Sequence, residues 1–131
     1  MNKTTIRKLD RVFSEFIRLR DTDDRGVTKC ISCGRLVKYE DTDCGHYINR
    51  AEMSTRYDEK NCNAQCRHCN RFREGNALGY TRGLIKKYGE GVLTELEVKK
   101  NNVTKLTDFE GELLVKYYRR KVKELKKNTV K

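Results

Sequence analysis

Two cysteine pairs, Cys30-Ile31-Ser32-Cys33 and Cys66-Arg67-His68-Cys69, are separated by 32 residues. That spacing constrains the fold more than any other feature of the chain. Each pair can wrap a tight turn around one ion, and four thiolates complete a closed tetrahedral shell. Zinc suits such a set, being soft enough for thiolate and free of redox chemistry. A closed shell is structural and offers no open position to a substrate. Gly34 and Asn70 directly follow the two pairs and suit tight turns. Cys44 and Cys62 are left over. Cys62 lies four residues before Cys66 and competes as a ligand if the register differs, but a buried thiol is the commoner fate of an unpaired intracellular cysteine. Both are kept out of the expected site.

A metal staple also fits the composition. Charged residues make up 37% of the 131 residues and hydrophobic ones 36%, so the core must be modest. The length fits one compact domain over 1–131. Its expected parts are an N-terminal helix (1–25), a zinc-bound core (26–76) and a helical C-terminal extension with a basic tail (77–131). Thirty Lys and Arg against 19 Asp and Glu give a net charge of +11, which suits a polyanionic partner such as DNA. Charge does not separate a DNA reader from an enzyme that cuts DNA. There is no apolar run of membrane-spanning length and no apolar stretch of a signal peptide after Met1, so the expectation is a cytoplasmic protein with no membrane partner. A reducing compartment favours metal over disulfides for the six cysteines.

Apolar spacing predicts a helix over 3–20, with Ile6, Leu9, Phe13, Phe16 and Ile17 on one face. Leu36-Val37-Lys38-Tyr39 and His46-Tyr47-Ile48 are short enough for strands, and 49–65 is polar and reads as a crossing loop. Further helices are predicted over 77–88, 91–100 and 108–127. The first of these presents Leu78, Leu84, Ile85 and Tyr88 and is weakened by Gly79 and Gly83; the last aligns Leu114, Tyr117, Tyr118, Val122 and Leu125. The basic end of that last helix is either a DNA-contacting surface or a solvated terminus.

Phosphodiester hydrolysis needs a base to activate water and a Lewis acid for the departing oxygen. Of the two histidines, His46 is the better base: it lies outside the cysteine pairs and follows Gly45, read as clearance for an approaching phosphate. His68, inside the second pair, is expected to face solvent. Arg50, Arg56 and Arg73 are candidates to fork onto phosphate oxygens, or to form surface ion pairs with Asp58 or Glu74.

The string Cys-x2-Cys, Asp43-Cys44-Gly45-His46-Tyr47-Ile48-Asn49-Arg50, Arg56-Tyr57-Asp58-Glu59-Lys60-Asn61, Gln65-Cys66-Arg67-His68-Cys69-Asn70 and Gly75-Asn76 resembles the NinG/Rap recombination endonucleases of lambdoid phages, and more broadly the HNH nucleases. The resemblance covers roughly residues 18–88. It implies an α+β fold with a small ββα-metal (HNH) core, a structural four-cysteine zinc site, and flanking N- and C-terminal helices. It implies a metal-dependent endonuclease acting on branched recombination intermediates, Holliday junctions and D-loops among them. His46 would be the general base, Asn61 would orient His46 through a hydrogen bond, and Asn70 would bind catalytic Mg²⁺ or Mn²⁺ through its amide oxygen. On its own chemistry, Asn70 equally suits a helix cap. Many HNH enzymes place Asp directly before the histidine, where this chain has Gly45; Asp43 or Asp58 is the candidate replacement for that second ligand. Symmetric resolution of a four-way junction would favour a homodimer, though no dimer surface is legible. The competing readings are a non-catalytic zinc module that binds nucleic acid and a structural zinc ribbon within a larger assembly.

Overall fold

A computed structural model describes residues 1–102 and 105–127; the end of the expected basic tail, 128–131, lies outside them. Helix α1 (Lys3–Arg20) begins at Asn2, whose side-chain oxygen accepts the Thr5 N–H at 2.8 Å. That bond satisfies one of the amides a helix start leaves unpaired. Leu9, Phe13, Phe16 and Ile17 are buried against α5 (Asp108–Lys127), which contributes Val115, Tyr118 and Val122. Phe13 meets Tyr118 edge to face with centroids 4.9 Å apart. The predicted face of α5 is rotated slightly: Val115 turns inward and Tyr117 is exposed. Lys126 reaches Glu15 at 3.1 Å, so part of the basic end of α5 is spent on α1.

Two antiparallel ribbons follow α1. In the first, β1 (Val27–Lys29) pairs with β2 (Leu36–Lys38), and the turn between them carries Cys30 and Cys33. In the second, β3 (Thr42–His46) pairs with β4 (Cys62–Cys66) in the register Thr42↔Cys66 through His46↔Cys62. The ribbons meet where the Ile31 N–H donates to the Ala64 carbonyl at 3.0 Å.

The polar stretch expected to be a crossing loop, 49–65, holds a short helix α2 (Met53–Arg56) and nearly all of β4. Every residue of β4 is buried. Its amide side chains replace the apolar signal of a strand with hydrogen bonds. Asn63 donates to the Lys60 carbonyl and accepts from Lys87, and Gln65 donates to Ser32 and to the Gly75 carbonyl. The outer edge of β4 is sealed by the end of α1: the Ala64 N–H donates to Asp21 at 2.9 Å, and Arg20 donates to the Cys62 carbonyl at 3.1 Å. The predicted strand His46-Tyr47-Ile48 stops at His46.

After β4 the chain makes one π-helical turn (His68–Phe72), then enters α3 (Ala77–Tyr88) and α4 (Val92–Asn101). Tyr80 and Leu84 of α3 pack with Val92 and Leu96 of α4, whereas Leu78, expected on the inner face, is exposed. The reason is the first cysteine turn. Methyl groups at Gly79 and Gly83 would overlap the carbonyl oxygens of Ser32 and Ile31, so the glycine face of α3 is the one laid on the Cys30–Cys33 turn. What these glycines cost in helix propensity is offset by that close approach.

Candidate functional site

The Sγ atoms of Cys30, Cys33, Cys66 and Cys69 all lie within 4.8 Å of one another. Cys33 and Cys66 are 3.8 Å apart, which equals the edge of about 3.8 Å that a tetrahedron with Zn–S bonds of about 2.3 Å requires. Three of the four residues are buried. Burial pushes the Cys69 thiol up to about 12. Cys30 is pulled the other way: burial would raise it, but amide N–H groups of its own turn and of the Cys66 segment aim at its sulfur and hold it below the ordinary value. The Cys69 N–H donates to the Cys66 sulfur at 3.5 Å, and Asn76 Nδ2 donates to the Cys69 sulfur at 3.6 Å. These four cysteines could hold a metal such as zinc, and an ion there would join the β1–β2 turn to the end of β4.

A cleft of about 350 Å³ lies between α1, β3 and the π-helical turn. His46 and Asn70 both line it, as do Asp10, Cys44, Asn49 and Glu74. The His46 ring is anchored through Nε2, 3.0 Å from the Arg56 carbonyl oxygen. A carbonyl only accepts, so Nε2 carries the proton and Nδ1 keeps its lone pair. Burial, joined by the charges of Arg50 and Arg56, lowers the His46 pKa below the usual histidine value and favours the neutral ring.

Two of the residues that set this geometry, Asp10 and Tyr80, lie outside the motif. Asp10 on α1 accepts from Arg56 through both Nε (3.0 Å) and Nη2 (2.6 Å), from Arg50 at 3.1 Å and from the Tyr57 hydroxyl at 2.7 Å. This clamp ties the 49–57 segment to α1 and thereby fixes the Arg56 carbonyl over His46. Although burial raises the Asp10 pKa, the bonds from Arg56 and Tyr57 prevail and hold its carboxyl below the usual range. Tyr80 donates to the Gly45 carbonyl at 2.7 Å and steadies β3 from behind. Nothing in the local sequence marks Asp10 or Tyr80.

Asn61 makes no bond to His46. Its Oδ1 accepts the Ile48 N–H at 2.8 Å, and its Nδ2 donates to the carbonyls of Ile48 and Thr55, both at 3.1 Å. It therefore fastens the turn after His46 to α2. Asn70 does not cap α3; Asn76 does, accepting the Gly79 N–H. Instead Asn70 donates Nδ2 to Asp43 at 3.0 Å, and among the described residues no hydrogen bond is donated to its Oδ1. Asp43 is also held bidentately by Arg71, at 2.9 and 3.0 Å, which lowers its pKa against the pull of burial. Both Asp43 oxygens are thus engaged, and it is not among the residues lining the cleft. Asp58 is turned away as well, accepting the Lys60 and Asn61 amides and Lys99.

Gly45 clears a neighbouring side chain rather than a phosphate: a methyl group there would overlap Gln65. That leaves no room for an aspartate directly before His46. Glu74 is the exposed carboxylate of the cleft, and no other described residue hydrogen-bonds or ion-pairs with it. It stands four residues after Asn70, a spacing that offered a signal for it. Of the basic candidates, Arg50 and Arg56 pair with Asp10 rather than with Asp58 or Glu74; Arg50 remains largely exposed, and Arg73 is exposed too. His68 faces solvent beside Phe72. No described helix is long and apolar enough to cross a membrane.

No solved structure matches the chain. A family model described as "Bacteriophage Lambda NinG protein" matches residues 2–128. Relatives named "Protein ninG" include one from Escherichia phage 933W, 34% identical over 122 residues, which make up 92% of this chain and 58% of the relative. Those from Escherichia phage lambda and Salmonella phage P22 are each 33% identical, again over 92% of this chain and 57% of the relative. The chain thus spans a little over half the length of the curated relatives it matches. On a family match that runs almost end to end and on these identities, the chain belongs to the NinG family of bacteriophage proteins.

Proposed function

We propose that the chain is a metal-dependent DNA endonuclease of the HNH kind, working in the cytoplasm of a bacterial host on branched recombination intermediates. The observation that carries this reading is the shared cleft of His46 and Asn70, with the ring held through Nε2 so that Nδ1 keeps its lone pair. In this reading β3, β4 and the turn after them form the ββα-metal core, and structural zinc at the four cysteines braces it.

His46 takes the proton from an attacking water at Nδ1 while Nε2 stays on the Arg56 carbonyl. Asn70 Oδ1 and the Glu74 carboxylate are the hard oxygen donors that would hold Mg²⁺ or Mn²⁺. Such an ion supplies Lewis acidity to the scissile phosphate and its departing oxygen. Asp43 acts on Asn70 rather than on the ion: it takes the amide N–H and so turns the oxygen outward. Arg50 and Arg73, both exposed, contribute phosphate contacts, and the net charge of +11 supplies attraction to DNA. Arg56 serves mainly by fixing the carbonyl that holds the base. The test is cleavage of linear, flapped and four-way DNA by the purified chain, with and without Mg²⁺ or Mn²⁺. The competing reading, a zinc module that binds nucleic acid without cutting it, predicts retention of DNA and no cleavage with any ion.

A further inference from the structure

Cys44 and Cys62, the two cysteines outside the set of four, do not stand alone. On the antiparallel pair β3–β4, Cys44 and His46 alternate onto the same face, and Cys62 lies opposite His46. The ligand atoms of Cys44, His46 and Cys62 lie within 4.8 Å of one another. Cys44 and His46 line the cleft, while Cys62 is fully buried beneath them, its thiol 3.4 Å from the same Arg56 carbonyl that holds the His46 ring.

From this juxtaposition we infer that Cys44, His46 and Cys62 form a second, inhibitory site for a soft divalent cation such as Zn²⁺, entered from the cleft. The donor chemistry separates it from the proposed Mg²⁺ site. Two sulfurs and an imidazole select a borderline-soft ion, whereas the amide and carboxylate oxygens of Asn70 and Glu74 select a hard one. Three protein ligands leave a fourth tetrahedral position for water. An inward adjustment of roughly 1 Å brings donors at such separations to the edges of a zinc tetrahedron. Binding releases one proton from each thiol, and the imidazole enters neutral.

Whichever ring nitrogen takes the ion, His46 ceases to be a free base. At Nδ1 the ion occupies the lone pair that would accept the proton of water. At Nε2 it displaces the Arg56 carbonyl that fixes the tautomer. The inhibitory consequence rests on the nuclease reading; the binding itself does not.

The experiment loads the full chain with its structural zinc under a non-thiol reductant, then titrates further Zn²⁺ by equilibrium dialysis. Wild type should take up a second zinc, and Cys44→Ala should bind it more than about 100-fold more weakly, since loss of an outer-shell partner alone costs about 10–100-fold. Retention of the first zinc in Cys44→Ala shows that the variant is folded. Should it not fold, alkylation supplies the readout in wild type: added Zn²⁺ should protect Cys44 from iodoacetamide, and unchanged labelling would overturn the site. Failure of wild type to take up a second zinc, or equal uptake by Cys44→Ala, also overturns it. If Mg²⁺-dependent cutting is found, added Zn²⁺ should suppress it in wild type and leave Cys44→Ala at its own zinc-free rate; equal suppression in both contradicts the proposal. A second zinc in a chain that never cuts DNA would retire the nuclease reading and leave the site standing.

Discussion

The Nε2–H of His46 is held 3.0 Å from the carbonyl oxygen of Arg56, a residue whose guanidinium is clamped by Asp10 of α1. One helix outside the two β-ribbons therefore helps to fix the carbonyl that holds Nε2 and leaves Nδ1 free. The predicted consequence is that Asp10→Asn lowers the cleavage rate without altering zinc content, because Arg56 keeps one acceptor and loses its charge partner. Single-turnover rates at saturating DNA, set beside metal analysis, check this; an unchanged rate means that the clamp does not position the base.

Asn61→Ala should destabilise the fold by about 3 kcal/mol, because it strands buried partners that the amide satisfies at Ile48 and Thr55. The residue is fully buried, so water cannot replace it without rearrangement. Urea unfolding of the zinc-loaded chain measures the loss, and a change under about 0.5 kcal/mol would assign Asn61 a minor role.

Gly45→Ala should cost about 1–3 kcal/mol through its overlap with Gln65. In a Gly45→Ala/Gln65→Ala double variant the clash disappears, so the two changes should cost less together than the sum of the singles. Additive costs in that cycle would show that the side chains do not meet.

Stability should fall in acid partly through Asp21. Burial raises its pKa, but Arg20, Lys87 and the Ala64 amide prevail and hold it below the usual carboxylate range. A depressed folded-state pKa gives stability that is present above the unfolded value of about 3.9 and is lost as pH falls through the folded one. Asp21→Asn should cost roughly 3 kcal/mol at neutral pH and flatten the unfolding profile below about pH 4. A variant whose acid limb keeps the wild-type slope contradicts this assignment.

Much of this architecture was legible in the sequence. Helices α1 and α5 carry strong apolar periodicity, and the paired cysteine spacing drew the four sulfurs together. Strand β4 was not legible, because Asn63 and Gln65 bury amides where a half-exposed strand would alternate apolar and polar residues. The glycine face of α3 is hidden for a related reason: Gly79 and Gly83 look like helix weakness until the Ser32 and Ile31 carbonyls are placed against them. In the cleft, the sequence located His46 and Asn70 but not what holds them. Asp10 acts from 36 residues before His46 in the chain, a separation no local motif can bridge. Asp43, one of two candidates for the second ligand, accepts from Asn70 instead, a distinction that depends on side-chain direction.

The decisive measurement is cleavage of four-way and linear DNA by wild type and His46→Ala, side by side, with and without Mg²⁺ or Mn²⁺. Wild type should cut only with the ion. The variant should lose roughly 100- to 10,000-fold in rate while keeping its zinc and its affinity for DNA. No cutting by wild type with either ion, or equal cutting by His46→Ala, would contradict the account.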